Sequence, residues 1–190
     1  MDNLVWTKQA LWDTYLDGLA HHSEQDSAGV VVTPIEHGFS ADLLLPRTSP
    51  PTLHQDVPAL GFSKTHQGVR LACLTPWHYL VHANERPDAA FFKTLFGSDD
   101  SMVDQTGARA ALVVSGPKIQ DCLRRGVMID LDPSVFPISA FASTYAGHIN
   151  LHITSLGQDR FELSCARSMV GSFWHWLSQT AAPFGLARGH

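Results

Sequence analysis

The strongest constraint in this sequence is the way its β-type runs are grouped. Short alternating or apolar runs come in twos and threes before each helical stretch, rather than one strand to one helix. Gly68 to Thr75 (GVRLACLT) and His78 to Ala83 (HYLVHA) flank Pro76-Trp77, where Pro76 lacks the N–H a ladder needs. A helix is expected from Pro87 to Phe96, with Pro87 in its first turn and Gly97 ending it. The second half repeats the rhythm. Strands are expected at 102–106 and 109–115, then a helix opened by Gly116-Pro117, with Ile119, Cys122 and Leu123 as its stripe and Gly126 as a positive-φ cap. Three further runs, 140–146, 148–154 and 160–165, precede a last helix from Ser168. Met169, Phe173, Trp176 and Leu177 share one face of it, and Pro183 stops it. Upstream, Leu4, Leu11, Tyr15 and Leu19 mark an amphipathic helix over 3–20. A polar linker follows, then strands at 29–33 and 41–45 and a proline-rich loop at 47–58.

This ββα and βββα grouping implies an α+β fold, mainly antiparallel sheets with flanking helices. The division expected is an N-terminal helix and linker (1–28) followed by one α+β domain (29–190). The repeated rhythm leaves open two lobes split near residue 100.

Composition excludes several classes. With 44% hydrophobic and 16% charged residues the chain can bury a core. A net charge of -5 without a basic patch argues against nucleic acid or anionic membrane as partner. Asp2, Asp13 and Asp17 break a signal or transit segment, and runs such as Ala110 to Val114 fall far short of the ~18 residues of a membrane span. Cys73, Cys122 and Cys165 are odd in number and widely spaced, so a disulfide framework is not expected and the cytoplasm is the default location.

The search for chemistry returns structural readings. His78/His82 and His148/His152 are each four apart, but on strands, where that spacing spans about 13 Å, too far to share one zinc. The thiols read as buried and inert. No GxGxxG, GxxxxGK[ST] or GxSxG motif is present, and Pro117 removes a donor where the Ser115-Gly116-Pro117 turn would need one for an anion. Asp130 and Asp132 form a turn before Pro133. Asp104 and Arg109 flank a turn. Either they bridge its base, or Asp104 accepts N–H bonds from the turn itself.

Taken in order, these blocks resemble the gamma-subunit family of heterotetrameric sarcosine oxidase. Asp104 to Arg109 (DQTGAR) looks like the family's D-[LQ]-S/T-x-x-R turn, and Ala111 to Pro117 (ALVVSGP) like its strand into SGP. Asp130-Leu131-Asp132-Pro133 is similar to its D-L-x-P step, and Arg167-Ser168 with Trp176-Leu177 to its R-S-F…W-L ending. Upstream, Leu74 to Leu80 (LTPWHYL) resembles L-x-P-D-E-[WF]-L, with Trp77-His78 in place of the acidic pair.

The resemblance implies a fold like the folate-binding module of the glycine-cleavage T-protein. It implies a non-catalytic chain without a cofactor of its own, with FAD, FMN, NAD and zinc on alpha, beta and delta partner subunits. The complex would oxidise sarcosine and pass its one-carbon unit to tetrahydrofolate. Two other readings stand beside it: a free-standing tetrahydrofolate protein, and a subunit of an oxidase or dehydrogenase for another N-methylated amine. Candidate partner-facing residues are Trp6, Leu11, Trp12, Tyr15, Trp77 and His78. Asp104, Arg109, Gly116, Pro117, Gly126 and Trp176 are candidates for holding the fold.

Overall fold

The computed structural model describes residues 9–20, 28–47, 54–97 and 101–189. In chain order the elements are α1 (Gln9–Leu16), β1 (Val30–Ile35), β2 (Phe39–Leu44), β3 (Ser63–His66), β4 (Val69–Thr75), β5 (His78–Ala83), α2 (Ala89–Phe96), β6 (Ser101–Asp104), β7 (Arg109–Ser115), α3 (Ile119–Leu123), β8 (Phe141–Ala146), β9 (Ile149–Gly157), β10 (Arg160–Ala166), α4 (Val170–Ala181) and β11 (Leu186–Arg188).

The strands form two sheets. One runs β11-β1-β7-β10-β9-β8 and the other β3-β4-β5-β2-β6. Every pairing is antiparallel except β1 with β11. The α+β, mainly antiparallel class is therefore what the chain adopts. β3 and β11 were not expected from sequence, being only four and three residues long. Hydrogen bonding, not an apolar pattern, defines such short strands.

Each sheet turns one face to helices. Val30, Leu112, Leu163 and Ile153 pack with Trp12 and Leu16 of α1, Ile119 and Cys122 of α3, and Phe173 and Leu177 of α4. On the second sheet, Leu43, Leu71, Tyr79 and Val81 pack with Phe92, Leu95 and Phe96 of α2. The other faces meet each other, through Ala72 and Leu80 on one side and Phe141 on the other. Period-2 alternation makes this possible, since residues i and i+2 share a face.

Three local expectations are corrected. Pro87 precedes α2 rather than opening it: Asp88 is the N-cap, accepting from the Phe91 N–H at 2.8 Å, and Gly97 closes the helix at φ 65. Gly126 is not at positive φ. A Cβ there would stand 2.7 Å from Trp176 Nε1, so glycine is needed for space and not for a turn. Met169 is 37% exposed, because it lies in a 3-10 turn before α4 and is out of phase with the buried stripe Val170, Phe173, Leu177 and Ala181. By contrast, Gly116 does need its freedom: φ is 120, and a Cβ would come within 2.5 Å of the Gly29 carbonyl.

Candidate functional site

The faces that meet between the sheets carry an unusual share of polar groups. On β2, β5 and β4 the inward positions include Ser40, Asp42, His82 and Arg70, while Ala41, Val81 and Leu71 point to the α2 core. Ser40, His82 and Arg70 are register partners, so they form one row across three strands. On the facing sheet, Glu162 and Ser164 of β10 and His152 and Thr154 of β9 alternate with core residues Leu163 and Ile153.

Glu162, 5% exposed, anchors the seam. Arg70 grips it with a fork: Nη1 donates to Oε2 at 2.6 Å and Nη2 to Oε1. His37 Nε2 lies 3.3 Å from Oε1, and its ring sits 4.3 Å from that of His82. His82 Nδ1 is 3.2 Å from Ser40 Oγ. Burial alone would raise the Glu162 carboxyl, but the His37 and Arg70 contacts outweigh it and hold it down to about 2. Burial, then the nearby His37 and Arg70 charges, keeps His82 neutral, well below the usual histidine range. His152 is pushed down to about 3 by burial, with Arg109 and His78 adding to the effect.

Among the described residues, the sequence-based candidates lie around this seam rather than in it, apart from Arg109 and His78. Arg109 Nη2 donates to the Ser164 carbonyl at 3.3 Å. His78 Nε2 is 2.8 Å from Asp42 Oδ1. Asp104 accepts from the Thr106 N–H at 2.8 Å, the turn-holding alternative. Gly116 and Pro117 shape the turn into α3. Trp176 is half-buried and stacks on Phe173, over Gly126 and Gly147. Trp6 is outside the described residues. Leu11 and Tyr15 are half-buried against the core, and Trp77 is half-buried against the α2 core. Trp12 corrects the expectation of an exposed anchor: it is 2% exposed, edge-on to Phe173 at 6.3 Å.

Sequence reading missed Arg70, Glu162, His37 and Ser40. The available signal was a polar residue at every second place of an otherwise apolar run, as at Glu162 in Arg160 to Cys165. Such a residue reads as solvent-facing until a second sheet covers it.

Chemically, the seam is a locked Arg70–Glu162 ion pair beside the neutral imidazoles of His82 and His152. Among the described residues no group of three or more His, Cys, Asp or Glu side chains is placed to hold a metal ion. Burial pushes the Cys122 and Cys165 thiols up to about 11 and also raises that of Cys73, which disfavours the nucleophilic thiolate. No helix among the described residues is long and apolar enough to cross a membrane.

Two facing, mainly antiparallel sheets with helices on the outer faces define a fold seen in solved structures. The chain is similar, with TM-score 0.75 and 19% identity over 95% of this chain and 96% of the other, to a chain of the heterotetrameric sarcosine oxidase from Corynebacterium sp. U-96 in complex with pyrrole 2-carboxylate. It is also similar to the glycine cleavage system aminomethyltransferase T from Bartonella henselae, with TM-score 0.55 and 14% identity, over 94% of this chain and 50% of that one. At these identities the likeness is one of fold. A search of curated proteins finds no match. The model of the sarcosine oxidase gamma subunit family matches residues 77–183, more than half of the chain, and the chain belongs to that family.

Proposed function

We propose that this chain is the non-catalytic gamma subunit of a heterotetrameric complex that oxidises sarcosine. The family match over residues 77–183 carries this reading, and the near full-length likeness to a chain of a heterotetrameric sarcosine oxidase supports it. In this reading the complex removes the methyl group of sarcosine oxidatively at a flavin, releases hydrogen peroxide and passes the one-carbon unit to tetrahydrofolate. FAD, FMN, NAD and zinc sit on alpha, beta and delta subunits, and the assembly works in the cytoplasm.

The physical chemistry of the chain fits a supporting role. Its buried carboxylate is tied to Arg70, its deepest histidines are neutral, and its thiols are protonated. Trp6, Leu11, Tyr15 and the Trp77-His78 corner remain the proposed partner-facing residues, while Trp12 is withdrawn to the core.

Purification through a tag on this chain tests the reading. The expected eluate is yellow, bleaches when sarcosine is added and generates peroxide in air. Trp77→Ala is expected to weaken the association without moving the flavin spectrum. A chain that elutes alone and binds tetrahydrofolate would favour a free-standing folate protein instead.

A further inference from the structure

Where β7 begins, a cavity of about 270 Å³ lies between the two sheets. Ser40, Asp42, Leu80 and His82 line it from one sheet, Arg109 and Ala166 from the other. Arg109 also borders a smaller hollow of about 30 Å³ that shares Ser40 and His82.

The hydrogen bonds here are incomplete. Arg109 spends one donor on the Ser164 carbonyl, while its enclosed Nε finds no acceptor among the described residues. The second enclosed polar atom without a partner is Nδ1 of His152, and His152 is the register partner of that same Ser164. Among the described residues, no carboxylate forms an ion pair with Arg109. Enclosed polar groups are normally satisfied, and a cation with unspent donors beside a cavity calls for an acceptor.

We propose that this cavity is a binding site for a small carboxylate held by the Arg109 guanidinium. The planar fork of arginine matches a carboxylate's two oxygens. Arg109 is the one cation among the lining residues, because burial keeps His82 neutral. Asp42 lines the same cavity with the opposing charge, which works against any anion and against a dianion more than a monoanion. The volume lies just under the ~300 Å³ at which pockets for drug-sized molecules begin, so the ligand is smaller than drug-sized. The carboxylate arrives as a free acid or on a side chain of a partner subunit.

Acetate titrated into the ¹⁵N-labelled full chain, with inorganic phosphate as the comparison anion, tests the site by NMR. Saturable shifts of the Arg109 Nε–H and the Ser40 and His82 amides are expected with acetate, with phosphate at least about tenfold weaker. Arg109→Lys should weaken acetate by about tenfold, since it keeps the charge and loses the fork. Ala166→Leu, at the cross-strand partner of Arg109, narrows the cavity while keeping the guanidinium and should weaken the shifts. A crystal of the assembled complex soaked in acetate separates the sources: acetate on Arg109 marks a free ligand, a partner's carboxylate there marks an inserted side chain. Acetate shifts that do not saturate, or that persist unchanged in both variants, would overturn the proposal, as would water alone on Arg109 in the complex.

Discussion

Arg70 on β4 and Glu162 on β10, 92 positions apart, join the two sheets through a two-bond fork inside the seam. Each side chain is largely withdrawn from water, at 17% and 6% exposure. A pair of this kind adds little net stability over an apolar pair, but breaking it leaves one charge enclosed without its partner. Glu162→Ala should therefore cost roughly 3–5 kcal/mol, whereas Arg70→Met combined with Glu162→Leu should recover most of that loss. Urea unfolding of the three variants checks this. A cost below ~1 kcal/mol for Glu162→Ala would mean that water reaches the guanidinium.

Stability should fall on the acid side in two steps. His82 and His152 bind their protons less readily in the folded chain than at the ordinary value of 6.5, His152 down to about 3. Below pH 6.5 the unfolded chain thus takes up more protons, and each histidine costs up to about 1.4 kcal/mol per pH unit. Glu162 has its folded value depressed from 4.5 to about 2, so its contribution is present above pH 4.5 and is lost as pH falls toward 2. His82→Gln and His152→Gln should each flatten the slope between pH 6.5 and 4.5 in denaturant melts. An unchanged slope in both would contradict the assignment of buried neutral imidazoles.

Trp12 belongs to the core that α1 shares with α4. Trp12→Ala should cost roughly 3–5 kcal/mol in the isolated chain, the range for emptying a buried aromatic site. A variant that keeps its melting temperature but fails to assemble would place Trp12 at a partner surface instead.

Trp176 lies over Gly126, with Nε1 2.7 Å from where a Cβ would stand. Gly126→Ala should cost about 1–3 kcal/mol by forcing the indole off its seat, with a shift in tryptophan fluorescence. Because Trp176 is only half-buried, Trp176→Ala should cost less than a fully enclosed tryptophan. The double variant should cost less than the sum of the two singles. Strict additivity would show that the two residues do not press on each other.

The outward faces of the sheets were legible because their alternation has a single meaning: Leu71, Tyr79, Val81, Leu112 and Leu163 announce strands, and all are core residues. The seam was not legible. Arg70, His82 and Glu162 occupy the alternate positions that usually face water, and nothing local says that another sheet covers them. Trp12 failed for the opposite reason, since a tryptophan on an amphipathic helix can serve a core or an interface, and only the packing of α4 decides. Gly126 was rightly singled out but for the wrong cause. The constraint is an indole 50 residues later, not the end of α3.

Native mass spectrometry of the complex purified through a tag on this chain tests the central claim most directly. The result expected from the proposed function is a hetero-oligomer of four different chains containing one copy of this 20.8 kDa chain, with flavin retained on the others. A species at the mass of this chain alone, or of copies of itself only, would contradict the assignment as an oxidase subunit.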